Sequence, residues 1–120
     1  MVGAMTALRP NISLPTHGAL ELLIGTLALV APFALGFTLP GAVVSVLIGV
    51  CAVGLALDAA QQPARVSAHQ AFDYGIAFAA LVVALPLALV GDAAAALFLG
   101  AFGLAQLALD ASTRWSLRTT

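Results

Sequence analysis

Residues 20–37 read LELLIGTLALVAPFALGF, eighteen residues whose single charge, Glu21, sits at the leading edge. A helix rises 1.5 Å per residue, so a run of this length is close to what a hydrocarbon layer of about 30 Å requires. A strand of a membrane barrel would be about half as long and would alternate polar with apolar positions. Ala, Leu and Gly recur here without alternation, so the run is read as a spanning helix. Three further runs share its character: residues 41–57, 72–90 and 93–109. The fold expected is all-α, a bundle of four transmembrane helices.

Composition leads to the same place. The chain has 120 residues, 62% hydrophobic and 8% charged, where a soluble domain carries about 25% charged residues. Too few polar residues exist to clothe a water-soluble surface, so the lipid bilayer is the expected partner of the outer faces. Four Arg and no Lys stand against five acids, which offers no basic field to a nucleic acid. Cys51 is the sole cysteine and is read as a small buried hydrophobe. Arg9 lies well before the first apolar run, unlike the charge of a secretory signal, so that run is expected to stay as a helix.

The breaks between runs are short. Pro40 suits the first turn of the second helix, and Asp92 is placed to cap the fourth. An internal repeat aligns without gaps at a shift of 52 positions, which puts His17 on His69, Glu21 on Asp73 and Ile24 on Ile76. The same shift lays residues 55–59 (LALDA) on residues 107–111 (LALDA), Asp58 on Asp110. Each copy holds two spans, so both enter the bilayer the same way up, related by a pseudo-two-fold axis along the membrane normal. The organisation expected is a tail over 1–16, a two-helix repeat over 17–60, a loop over 61–68, a second repeat over 69–112 and a tail over 113–120. Arg9, Arg65, Arg114 and Arg118 fall on one side, which the positive-inside rule makes cytoplasmic for both termini. Trp115 and Tyr74 are read as belonging to that same interface.

At residues 25–37, GTLALVAPFALGF, the chain resembles the SPW-repeat family of small bacterial membrane proteins. Pro32, Leu35, Gly36 and Phe37 match its motif, with Ala31 in place of the Ser and Phe33 in place of the Trp. In the second copy Pro86, within Leu85-Pro86-Leu87, keeps only the proline. The resemblance implies a two-helix membrane repeat in a bacterial inner membrane and brings no reaction, cofactor or ligand with it.

The polar residues of the spans gather at one end. His17, Glu21, Asp58, Arg65, His69, Asp73, Asp110 and Arg114 form a candidate cytoplasmic cluster, with His17/Glu21 and His69/Asp73 four apart on shared helical faces. Glu21 and Asp73, read in the first turns of their helices, are favoured by the helix dipole, whereas Asp58 and Asp110 end theirs and need cationic partners. One reading is a latch that bonds Asp58 and Asp110 to His17, His69, Arg65 or Arg114. The other is a proton or metal-ion vestibule. His-x-x-x-Glu lacks the general base of the zinc-peptidase motif, and no catalytic, cofactor-binding or metal-ligating set is assigned. Ser45, Gly49, Ala52 and Ala56, and likewise Ala96, Gly100 and Gly103, form small-residue stripes for close helix packing. Pro32 and Pro86 are read as helix kinks. The function expected is non-enzymatic: a structural or accessory protein that forms a homo-oligomer or joins another membrane protein. The alternative is an oligomeric small-solute or ion transporter.

Overall fold

The computed structural model describes residues 11–61 and 66–115. Four helices fill it: α1 (Leu14–Leu35), α2 (Leu39–Gln61), α3 (Val66–Leu89) and α4 (Ala93–Ser112). All four are long and apolar enough to cross a membrane. Large apolar side chains cover the outside, Phe33 and Leu39 among the most exposed, which suits a surface solvated by lipid.

The helices run further at their polar ends than the apolar runs do. Ser13 caps α1, its hydroxyl accepting from the Thr16 N–H, and Pro15 occupies the first turn. The first helix therefore begins at Leu14, three residues before position 17. The 61–68 loop is likewise shortened, with α2 continuing to Gln61 and α3 starting at Val66. Hydropathy marks where lipid can lie, and hydrogen bonding carries each helix a turn or more beyond it. Glu21 and Asp73 are thus the eighth residues of α1 and α3, and neither helix has an acid in its first turn. The helix dipole no longer accounts for these two acids, because its influence fades within a turn.

Each hairpin is joined by close backbone approach. Gly25 of α1 and Gly49 of α2 meet so tightly that a Cβ on Gly49 would lie 2.9 Å from the Gly25 carbonyl oxygen. Gly103 of α4 sits equally close to the Ala77 carbonyl of α3. Ala52 and Ala56 are buried in the first seam, with Ser45 beside them. The second stripe is offset from its expected line. A Cβ on Gly100 would meet open space, and the buried face of α4 runs instead through Ala95, Leu99, Phe102, Gln106 and Asp110. That face carries large side chains, so a search for small ones misses its centre.

Pro32 lies in the last turn of α1, where it removes the N–H that would bond the Ala28 carbonyl. Ser45 of α2 fills the vacancy, its hydroxyl donating to that carbonyl at 2.7 Å. Gly36 then ends α1 in the left-handed region at φ 67°. Pro86 stands in the last turn of α3, on an exposed face.

Around the bundle the order is α1, α2, α3, α4, with each hairpin packed more closely than the seams between hairpins. The α1 and α3 backbones are diagonal and do not approach each other. Ala28, Ile48, Ala52, Ala80, Leu87, Ala95, Leu99 and Phe102 form the central core. At one end Asp92 caps α4 through the Ala95 N–H and also accepts from the Thr38 backbone and hydroxyl, joining the two hairpin turns. Thr38's hydroxyl bond, with the backbone bonds behind it, holds the Asp92 carboxyl below the ordinary carboxylate range. At the other end Ile12 pairs with the strand-like residue Thr113, through the Ile12 N–H to the Ser112 carbonyl and the Arg114 N–H to the Ile12 carbonyl. Cys51 is exposed rather than buried, on an apolar groove it shares with Leu47, Phe72 and Gly75.

Candidate functional site

The polar residues meet where α1 and α3 face each other across the bundle. His17 and Glu21 stand one turn apart on α1, His69 and Asp73 one turn apart on α3, at the same positions in the two helices. All four are buried, with exposures of 5% or less. His17 Nε2 lies 2.7 Å from Asp73 Oδ2, and His69 Nε2 lies 3.0 Å from Glu21 Oε1 and 3.1 Å from Asp73 Oδ2. His17 Nε2 is 3.8 Å from Glu21 Oε2. The contacts are therefore reciprocal, each histidine reaching the acid of the other repeat. These side chains bridge two helices whose backbones are otherwise apart.

α4 supplies the surroundings. Gln106 donates through Nε2 to Glu21 Oε2 at 2.9 Å and to Asp110 Oδ1 at 3.1 Å. Thr113 donates its hydroxyl proton to the Leu109 carbonyl at 2.6 Å. With that proton committed, the hydroxyl oxygen accepts from His17 Nδ1–H at 2.8 Å. This assignment leaves the His17 Nε2 directed at Asp73. Trp115 closes the end of the cluster, its ring 4.7 Å from that of His17 and 5.8 Å from that of His69 by centroid. Its indole N–H donates to the Asp110 carbonyl.

The latch is built differently from the expected one. The histidines pair with Glu21 and Asp73, and Asp110 is held by Gln106 on its own helix. Arg114 is exposed and forms no ion pair with Asp110 among the described residues. Asp58 is half-buried and makes no side-chain hydrogen bond to another described residue. Arg65 lies outside the described residues, as do Arg9 and Arg118. Water does not reach the cluster freely, although its residues flank the apolar runs: Glu21, Asp73 and Asp110 are all fully buried. The helix dipole argument singled out Asp58 and Asp110, but a turn of depth and the facing of α1 to α3 outweigh it.

Gln106 and Thr113 are the site residues that sequence reasoning missed. Their counterparts at a shift of 52 are Gly54 and Gln61, so the repeat carries no signal for them. The spacing of four between Gln106 and Asp110 was the available clue.

Chemically, the cluster brings two imidazoles and three carboxyl groups together in the buried interior. Four of its buried polar atoms have no hydrogen-bond partner among the described residues: His69 Nδ1, Asp73 Oδ1, Gln106 Oε1 and Asp110 Oδ2. Thr113, the nearest hydroxyl, is already engaged with a main-chain carbonyl and is not poised as a nucleophile.

No match is found. Neither a protein-family model, nor a curated protein, nor a solved structure matches this chain.

Proposed function

We propose that this small multi-pass membrane protein has a structural or accessory, non-enzymatic role in a bacterial inner membrane. It assembles with a second copy or with another membrane protein, and both termini face the cytoplasm. One observation carries the reading: beyond the histidine–carboxylate cluster the interior is closed by Ala28, Ile48, Ala52, Ala80, Leu99 and Phe102. The described bundle interior thus offers no polar line from the cluster to Asp92 at the opposite end. The pairing of Ile12 with Thr113 supports termini on one side, and the arginine bias supports the cytoplasmic assignment. The reciprocal contacts of His17 and His69 support a pseudo-two-fold relation between repeats. The motif at residues 25–37 supports membership of the SPW-repeat family, and Gly36 ends α1 within that motif.

Crosslinking in native membranes followed by mass spectrometry tests the role. Discrete homodimers or a constant heterologous partner are expected, and a chain that stays monomeric at its native level overturns the reading. The alternative, an oligomeric transporter with the cluster as vestibule, draws on the four unpartnered polar atoms. Flux through reconstituted vesicles that falls when Glu21, Asp73 and both histidines are changed to Ala would establish it in place of the accessory role.

A further inference from the structure

We propose that His17, Glu21, His69 and Asp73 bind one divalent transition-metal ion of the Zn²⁺ class, a site that the accessory reading does not require. The four residues each present one ligand atom, and these atoms all lie within 4.8 Å of one another. Zn²⁺ takes nitrogen and oxygen ligands at about 2.0–2.2 Å in a tetrahedron, whose edges are then about 3.3–3.6 Å by geometry. The imidazole-to-carboxylate separations are 3.8 Å for His17–Glu21 (Oε2), 2.7 Å for His17–Asp73, 3.0 Å for His69–Glu21 (Oε1) and 3.1 Å for His69–Asp73, so three lie just below that edge and one just above it. An ion enters when the three shorter contacts open by about 0.2–0.6 Å and the widest ligand pairs draw in toward the same edge.

The donor set selects the metal. Two imidazole nitrogens with two carboxylate oxygens suit Zn²⁺ and its neighbours in the transition series, whereas Mg²⁺ and Ca²⁺ call for six or more oxygens. Two carboxylates also match the charge of a divalent ion, so the filled four-ligand set is neutral within a low-dielectric bundle.

Outer contacts give the second, independent argument. A metal-bound histidine ordinarily donates its other ring N–H to a fixed acceptor. His17 does this through Nδ1 to Thr113, which the Leu109 carbonyl holds in orientation. Gln106 similarly orients Glu21. Asp73 Oδ1, completely buried, accepts no hydrogen bond from an N–H or hydroxyl of the described residues, and the Asp110 carboxyl lies within hydrogen-bond reach of the Asp73 carboxyl. Without an ion, that oxygen is satisfied only by a proton shared with the Asp110 or Glu21 carboxyl, a role that a bound cation takes over. Metal bound through Oδ1, or through both oxygens of Asp73, uses that free acceptor.

Untagged protein in detergent, stripped with a chelator and shown to be helical by circular dichroism, is titrated with Co²⁺ alone. One Co²⁺ per chain is expected, with the intense visible absorption of a four-coordinate complex and displacement by equimolar Zn²⁺. The chain's two histidines are His17 and His69, so hyperfine-shifted imidazole N–H resonances in the Co²⁺ form report on the proposed ligands without any substitution. Thr113→Val weakens binding about 10- to 100-fold, the usual effect of losing a ligand's outer partner. Folded wild-type protein that takes up neither ion stoichiometrically, or bound Co²⁺ that shifts neither imidazole, overturns the site. The accessory role is judged by crosslinking, so the two proposals fail separately.

Discussion

Ser45 shows how a single hydroxyl repairs a defect written elsewhere in the chain. Pro32 strips a donor from α1, and the orphaned Ala28 carbonyl would be buried without a partner were Ser45 not 2.7 Å away. Ser45→Ala should destabilise the protein by about 1–3 kcal/mol, the cost of an unsatisfied buried polar group. Adding Pro32→Ala restores an N–H to the helix and should recover most of that loss, a coupling read from thermal melts in detergent micelles. Asp92 provides a pH test at the same scale. Its bond from Thr38 depresses the carboxyl below its ordinary value, so the stabilisation is fully present above the unfolded value and disappears as pH falls through the lower folded one. The stability advantage of wild type over Asp92→Asn should stay flat above about pH 5 and shrink below about pH 4, since an unfolded Asp titrates near 3.9. An advantage that grew on acidification would contradict the assigned bonds.

Helix pairs separate small residues that pack from those that only resemble them. Gly103 and Gly100 occupy the same helix and the same expected stripe, but only Gly103 lies against a neighbouring backbone. A Cβ there would meet Leu81 Cγ at 2.7 Å and the Ala77 carbonyl at 2.9 Å, and a main-chain carbonyl yields only when the helices part. Gly103→Ala should cost about 1–3 kcal/mol, as overpacking does. Gly100→Ala meets nothing, and should be neutral or stabilise by up to about 1 kcal/mol through helix propensity. Unfolding of the two variants side by side checks the pair, and equal losses would restore the original stripe. The Ser45–Ala56 stripe was legible because its small residues lie on the buried face itself. On α4 the buried line runs through Leu99, Phe102 and Gln106, residue types that carry no such mark.

At the scale of the molecule, the histidine–carboxylate cluster joins the diagonal helices α1 and α3. Changing His17 and His69 to Ala together should lower the melting temperature while leaving the helical circular dichroism nearly intact, because each hairpin keeps its own glycine-tight seam. The loss should be about 3–5 kcal/mol, the range typical of breaking a buried charge pair, because Asp73 loses both histidine contacts and Glu21 keeps only Gln106. Unchanged melting would show that the seams α2–α3 and α1–α4 alone hold the hairpins together. Four helices, a lipid-facing exterior and the gathering of charge toward one end were all readable in the linear chain. Hydropathy and length are local quantities, and a bilayer leaves the backbone few other solutions. Which acid meets which histidine was decided only by the tertiary structure. Helix rotation and the crossing of the two hairpins bring His17 to Asp73 and His69 to Glu21, while Asp58 and Arg114 are turned away and Gln106 and Thr113 are drawn in. Partners more than forty residues apart are selected by how apolar faces pack, and that packing minimum belongs to the whole bundle rather than to any one segment.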